Sequence, residues 1–367
     1  MNTSEEQYMR RAIELALKGE GYVNPNPMVG AVIVKEGRVI GEGYHHRYGD
    51  LHAERDAIAS LTEDPAGASI YVTLEPCCHH GKQPPCTEAI IEKGIKKVVI
   101  GSRDPNPLVA GKGVRILREA GIEVTEDFLR SECDEINPVF FKYITTGQPY
   151  VVLKYAMTMD GKIATVTGKS KWITGEVSRT QVQHLRHKYM GIMAGIGTVL
   201  ADDPMLNVRI EGLKSPVRII ADSRLRIPTD CNIVKTAGEY RTIAAYCKDE
   251  TGGLHNKKEE LEEAGIELVE TPSDNGHVDM VYLMEYLGRQ GIDSVLVEGG
   301  GILNDSLVRA GLVDRVEAFI GPKIFGGENA RTPVSGLGSE SVEGAAGFKL
   351  VKAEKHDDDV QLTYVKA

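Results

Sequence analysis

The chain has 367 residues and a formal net charge of −10, with 41% hydrophobic and 26% charged positions. Its length suggests two domains, each large enough to bury a core, and the composition is ordinary for a soluble globular protein. The acidic balance argues against a general nucleic-acid surface, which needs a basic excess, but leaves room for a local basic pocket around one phosphate.

Ser4-Glu5-Glu6-Gln7 fits a capping box, and Met9, Ile13, Ala16 and Leu17 follow at helical spacing, so the chain opens on a helix ending near Gly19. Asn24-Pro25-Asn26-Pro27 is a rigid turn feeding a strand over 28–34. Glu36-Gly37 then turns into a second strand over 38–44, which makes a hairpin. The amide of Asn26 donates and accepts at once, which suits a pyrimidine or ribose edge, although a plain turn asparagine reads the same way. His45 and His46 fall in a loop, where a histidine is ordinarily exposed or touches substrate.

The densest chemistry lies between Leu51 and Cys86. His52 and Glu54 open the segment AERDAIASL, which has helical spacing; a β-branched run over 69–73 leads to Pro76-Cys77, with Cys86 nine positions later. One imidazole and two thiolates give Zn²⁺ three protein ligands and leave its fourth position to water, which separates a catalytic zinc from a structural one. Glu54 is too near His52 in sequence to be a comfortable fourth ligand and is well placed to shuttle protons. His-x-Glu followed by Pro-Cys and a second Cys is the zinc-deaminase arrangement. A structural zinc would need a fourth ligand, and Cys78, His79 or His80 offers one, so that assignment stays open on the residues alone.

Beyond Cys86 the pattern gives a short helix over 87–93 and a strand over 96–100. The polar loop Arg103-Asp104-Pro105-Asn106-Pro107 follows, at the strand end where ligands gather in α/β sheets. A helix over 112–120, a strand over 122–125 and a helix over 133–143 broken at Asn137-Pro138 complete a first domain, 1–146. Thr145-Thr146-Gly147-Gln148-Pro149 reads as the linker. The second domain, 149–367, starts with a strand over 150–157, and a helix over 176–188 carries Arg186. Strands reaching Ala194 and over 217–221, 242–246, 266–269 and 294–297 alternate with helical patterns, which predicts a mostly parallel sheet covered by helices. Segments 313–320 and 361–365 read as antiparallel edges. Gly195-x-Gly197 is half a dinucleotide fingerprint and weak by itself. Gly299-Gly300-Gly301, between an apolar strand and a helix, is stronger: it permits close backbone approach, and the helix N-terminus attracts a phosphate.

The run Cys78-His79-x-Gly81-x-x-Pro84-Pro85-Cys86 separates the two cysteines more widely than the Cys-x-x-Cys of nucleic-acid and nucleoside deaminases. It resembles the riboflavin-biosynthesis deaminases that act on a diaminopyrimidine riboside phosphate. From about Tyr8 to the C-terminal strands, the chain is similar to the bifunctional members of that family, a pyrimidine deaminase fused to a reductase. The resemblance implies an α/β fold class, with a cytidine-deaminase-like N-terminal domain and a dihydrofolate-reductase-like C-terminal domain. It implies His52, Cys77 and Cys86 as metal ligands, since the family's ligand directly follows the proline, and Glu54 as the catalytic proton shuttle. Asn26, Lys82, Asp104 and Asn106 match positions lining the pyrimidine riboside pocket. Ala156, Trp172, Thr198, Asp202 and Ser223, with the loop residues Gly300, Gly301, Ile302, Leu303, Asn304, Asp305 and Ser306, match positions around NADPH. Ser170, Arg186, Leu206, Arg209 and Glu298 match positions around the sugar phosphate, where two guanidinium forks can hold one phosphate. Thr158 and Met159 stand where the family has Ser-Leu before Asp-Gly, and Cys78 where it has serine.

The implied function is two consecutive steps of riboflavin biosynthesis, a zinc-dependent deamination and an NADPH-dependent reduction of the ribosyl group. The implied cofactors are one Zn²⁺ per chain and NADPH. A small pyrimidine riboside phosphate is the expected partner, with no nucleic acid and no membrane, and a homo-oligomer is expected. No apolar run approaches the ~20 residues of a membrane span, and the acidic N-terminus does not read as a signal peptide. Of the 6 cysteines, three crowd the zinc stretch and the others are scattered as buried thiols usually are, which points to the reducing cytoplasm. The rival reading is a nucleic-acid or nucleoside zinc deaminase with an accessory nucleotide-binding domain, against which the acidic charge and the long cysteine insertion weigh. A nucleotide-binding sensor without catalysis is countered by the full set of His52, Glu54, Cys77 and Cys86.

Overall fold

The computed structural model describes residues 4–80, 84–106, 110–248 and 253–367. The chain divides into two compact units, Met1–Gly147 and Gln148–Ala367. Among the described residues no helix is long and apolar enough to cross a membrane.

The first unit runs α1 (Ser4–Leu17), β1 (Gly30–Lys35), β2 (Arg38–Tyr44), α2 (Ala53–Ala59), β3 (Ser69–Leu74), α3 (Cys86–Glu92), β4 (Lys97–Ser102), α4 (Lys112–Glu119), β5 (Glu123–Thr125), α5 (Arg130–Glu135) and α6 (Pro138–Thr146). Its sheet has the order β2-β1-β3-β4-β5. The expected hairpin is β1–β2, with a bulge between Ile33 and Val34. Side chains alternate across β1. Ala31 and Ile33 pack with Ala53, Ala57, Ile90 and Leu117 from α2, α3 and α4, whereas Val32 and Val34 pack with Met9, Ala12 and Cys133 from α1 and α5. Both faces are therefore covered. Two glycines on β2 set how closely α2 lies on the sheet: a Cβ on Gly43 would stand 2.1 Å from Ala57 N, and one on Gly41 2.6 Å from Ala57 O. The expected break at Asn137-Pro138 is present, because Pro138 lacks the N–H an interior position needs and so begins α6 instead. That helix extends through Thr146, so Thr145 and Thr146 are helical and not linker; Gly147 ends it at φ +69.

The second unit runs β6 (Tyr150–Thr158), α7 (Glu176–Lys188), β7 (Gly191–Gly195), α8 (Ile196–Asp202), β8 (Val217–Ala221), α9 (Asn232–Lys235), β9 (Thr242–Cys247), α10 (His255–Glu263), β10 (Ile266–Thr271), β11 (Ser273–Asp274), β12 (His277–Val278), α11 (Met280–Arg289), β13 (Ser294–Val297), α12 (Gly301–Arg309), β14 (Arg315–Gly321), β15 (Phe348–His356) and β16 (Asp359–Lys366). The large sheet has the order β10-β9-β8-β7-β13-β6-β14-β16-β15. Its strands are parallel from β10 through β14, as the strand–helix alternation predicts. Two expectations change. β14 is no antiparallel edge: it pairs in parallel with β6 and is buried along most of its length. β16 is antiparallel but interior, because β15, absent from the sequence reading, covers its free side. Five consecutive exposed residues in β15 leave no alternation to detect.

Candidate active sites

In the first unit, β3 and β4 run side by side in parallel, with Leu74 opposite Ser102. Glu75 N–H donates to Ser102 O at 3.0 Å, and the two strands then deliver Cys77 and Asp104 to the same end of the sheet. β1 is antiparallel to β3, so the turn holding Asn26 enters at that end too. α2 begins there with His52 at its cap and Glu54 in its first turn, and α3 begins with Cys86. Arg55 joins the two helix starts by donating to Pro84 O and Pro85 O, at 3.0 and 2.9 Å.

His52 Nδ1 lies 3.4 Å from both Cys77 Sγ and Cys86 Sγ, and the ligand atoms all fall within 4.8 Å of one another. A tetrahedral zinc with ordinary Zn–S and Zn–N bonds separates sulfur from nitrogen by about 3.6 Å, so these three side chains fit the ion. Among the described residues Cys78, His79 and His80 do not join the cluster, and His80 Nε2 pairs instead with Glu88 at 3.3 Å. The neighbouring Cys86 thiol draws the Cys77 thiol down, and Cys77 together with burial pushes the Cys86 thiol up. Glu54 is 3% exposed; burial pushes its carboxyl up, with the Cys77 charge acting in the same direction.

His45 is neither exposed nor a loose loop residue: it is 3% exposed and stands edge-on to His52, with ring centroids 5.8 Å apart. Its Nδ1 is 2.9 Å from Leu51 O, which only accepts, so Nδ1 carries the proton. Burial lowers its pKa, which disfavours the charged ring. Nε2 therefore accepts from Asn26 Nδ2 at 3.0 Å, which fixes the Asn26 amide. Sequence offered no signal for this beyond the position of His45 before His52. His46 is exposed as expected and pairs with Asp56 at 2.9 Å. Asp104 is buried, close enough to Cys77 to feel its charge, and accepts from Asn106 N–H at 2.8 Å. Lys82 lies outside the described residues.

The second unit holds a cavity of about 1190 Å³ along the C-terminal ends of β6, β13, β7 and β8. Ala156, Trp172, Thr198, Asp202, Ser223, Gly300, Gly301, Ile302, Leu303 and Ser306 all line it, as do Ser170, Arg186, Leu206, Arg209 and Glu298. Asn304 and Asp305 do not. A helix turns about 100° per residue, so consecutive positions cannot all face one side. Asn304 donates instead to Pro333 O at 2.7 Å, and Asp305 pairs with Arg309 at 2.8 Å. The glycines divide in the same way. A Cβ on Gly299 would meet Leu303 Cδ2 at 2.6 Å and one on Gly301 would meet Ser335 Oγ at 2.3 Å, so both serve packing. Gly197 and Gly300 open on free space that a dinucleotide backbone can enter.

At the centre is a largely buried triad. Arg186 donates to Glu298 through Nε at 2.6 Å and Nη2 at 3.1 Å, and its remaining Nη1 bonds Asn207 O at 2.9 Å. Lys154, which sequence reasoning missed, donates to Glu298 Oε2 at 3.3 Å. The only signal for it was a charged residue inside the apolar strand YVVLKYAM. Burial works to raise the Glu298 carboxyl, but Arg186 and Lys154 outweigh it and hold it at about 2. These bonds use three of the five N–H groups of the Arg186 guanidinium and leave two, and Arg209 is exposed on the wall of the same cavity.

Two family models match the chain: the RibD C-terminal domain over residues 149–362, and the cytidine and deoxycytidylate deaminase zinc-binding region over residues 2–102. A riboflavin biosynthesis protein RibD from Actinobacillus pleuropneumoniae is 53% identical over 358 residues, covering 98% of this chain and 94% of the relative. The chain belongs to the RibD family. The RibD of Escherichia coli is 40% identical over 99% of this chain and all of its own length. Among solved structures, a diaminohydroxyphosphoribosylaminopyrimidine deaminase/5-amino-6-(5-phosphoribosylamino)uracil reductase from Thermotoga maritima is 41% identical, with a TM-score of 0.88 and 99% of each chain covered. RibD from Acinetobacter baumannii matches with 37% identity, the same TM-score of 0.88 and 99% coverage of both chains. These matches span both units, so the fold expected from sequence, a deaminase region followed by a RibD-type reductase, is the family's.

Proposed function

We infer that the chain performs two successive reactions of riboflavin biosynthesis. The first hydrolyses an amine of 2,5-diamino-6-ribosylamino-4(3H)-pyrimidinone 5′-phosphate. The second reduces the ribosyl side chain with NADPH, giving 5-amino-6-ribitylaminouracil 5′-phosphate. The observation that carries this reading is one chain holding both a His52–Cys77–Cys86 cluster beside buried Glu54 and a large glycine-lined cavity with a largely buried ionic triad.

His52 Nδ1 and the two cysteine sulfurs would hold a zinc ion, which would supply an activated water at neutral pH, and NADPH would supply the hydride. Glu54, beside the ligands, would take the two protons of that water in turn, one for the ring nitrogen and one for the leaving amine. Asn26 spends one amide N–H on His45, which leaves its Oδ1 and its second N–H for the edge of a substrate. In the reductase, Arg209 keeps its fork for the sugar phosphate while Arg186 and Lys154 hold Glu298 ionised and oriented.

The boundary between the activities is proposed at 146–149, so that a fragment from Tyr150 keeps NADPH binding. A homo-oligomer is proposed as well, supported by the exposed edge strand β15 with Leu350 and Val351 at 55% and 53% exposure, and light scattering tests it. A cytoplasmic location is proposed on the 6 free cysteines. The decisive experiment supplies the diaminopyrimidine riboside phosphate with NADPH and follows ammonia release and NADPH oxidation together. Ammonia without NADPH oxidation, with the reductase folded, would leave the second activity unsupported.

A further inference from the structure

We propose that Arg224 and Arg226 read the 2′-phosphate of the dinucleotide and set the preference for NADPH over NADH. This rests on the reductase reading above. The hydride must reach the sugar beside Glu298, which places the nicotinamide over β6 and β13. Gly300 and Gly197 leave open space over β13 and β7 for the diphosphate. The adenosine then falls over β8, three strands from β6 in the sheet and roughly 14 Å away at ordinary strand spacing. β8 ends at Ala221, and the turn that follows puts both Arg224 and Arg226 on the cavity wall.

The turn is built to present those two side chains. Leu225, at φ +46 and 2% exposed, is anchored in the core between them, while both arginines are exposed. Asp222 closes the turn: its carbonyl accepts Leu225 N–H at 3.0 Å and its carboxylate accepts Ile227 N–H at 2.8 Å. Ser223 is pinned from the neighbouring strands, its carbonyl by Cys247 N–H at 3.1 Å and its hydroxyl by Val278 N–H at 3.2 Å. Among the described residues neither guanidinium is spent on an ion pair or a side-chain hydrogen bond, in contrast to Arg186.

The chemistry favours a phosphate over a hydroxyl. Dinucleotide sites that select the unphosphorylated ribose place a carboxylate against its 2′-hydroxyl, whereas an arginine accommodates the 2′-phosphate. Here the one carboxylate of the turn, Asp222, is fully buried and turned inward. Two free guanidinium forks match a phosphate dianion and would leave a bare hydroxyl poorly served. Of the cavity's other cations, Lys154 and Arg186 are engaged with Glu298, and Arg331 lies beside the segment that follows β6, its carbonyl accepting Ile163 N–H at 2.9 Å.

The test uses the full chain and the double variant Arg224→Gln/Arg226→Gln, whose side chains are exposed and leave the core untouched. Calorimetry compares adenosine 2′,5′-bisphosphate with adenosine 5′-monophosphate. The wild type should bind the bisphosphate about 10- to 100-fold more tightly, and the variant should lose that preference while keeping its affinity for the monophosphate. In turnover, KM for NADPH should rise by a similar factor, with KM for NADH, kcat and deamination little changed. A variant that keeps the wild-type preference for the 2′-phosphate overturns the assignment. A wild type that binds neither NADPH nor NADH overturns the underlying reductase reading instead.

Discussion

Arg186 and Glu298 face each other in a two-pronged ion pair, Nε to Oε1 at 2.6 Å and Nη2 to Oε2 at 3.1 Å, with side chains only 11% exposed. Lys154 completes the neutralisation from β6. A carboxylate held at about 2, below its usual 4.5, contributes stability that is present above pH 4.5 and lost as the pH falls toward 2. Glu298→Gln would leave two buried cations without a counter-charge. It should destabilise the second unit by about 3–5 kcal/mol and abolish reduction, with deamination spared. Urea unfolding and the two activity assays check this; wild-type reduction by the variant would remove Glu298 from the mechanism.

Glu54→Gln should keep zinc and lose deamination by about 10²–10⁴-fold, because the amide preserves shape but cannot carry a proton. Metal analysis and ammonia release measure both halves of the statement. Loss of zinc from this variant would mean that Glu54 is a ligand after all.

Cys78 stands next to Cys77 but outside the ligand cluster. Cys78→Ser should therefore retain one zinc per chain and near-normal deamination. Cys77→Ser and Cys86→Ser should each lose most of the metal and deamination, with reduction largely spared. The opposite result, zinc lost with Cys78 and kept without Cys77, would shift the site by one residue.

Asp104 carries a cost. Burial pushes its carboxyl up to about 6 from an ordinary 3.8. The shift is upward, so the folded protein holds a proton that the unfolded chain releases, and stability falls as pH rises from 3.8 through 6. A carboxyl raised from 3.8 to about 6 corresponds to about 3 kcal/mol lost at neutral pH. Asp104→Asn can still accept Asn106 N–H, so in chelator-treated protein it should stabilise the fold by about 1–3 kcal/mol near pH 7 and flatten that slope. Its deamination should fall, since the position was matched to the substrate pocket. An unchanged pH dependence of unfolding would show that Asp104 is not the group responsible.

The zinc site was legible because its parts are local. His52 and Glu54 share the first turn of one helix, Cys77 follows the proline that ends a strand, and Cys86 starts the next helix, so each motif sits at the edge of an element that periodicity reveals. The alternation of strands and helices likewise determined a parallel sheet in the second unit, because the hydrophobic pattern of each segment is set by its own residues. What tertiary structure alone decided is which distant segments meet. Pairing of β14 with β6 instead of an edge, the Lys154–Glu298–Arg186 triad, and the contact of Asn26 with His45 join residues from about 19 to over 160 positions apart. Strand order, and with it the neighbours of each buried charge, depends on the whole sheet closing its hydrogen bonds and covering both faces. The turn of α12 that sends Asn304 and Asp305 away from the cavity is settled the same way, by the packing of Gly299 and Gly301 against Leu303 and Ser335.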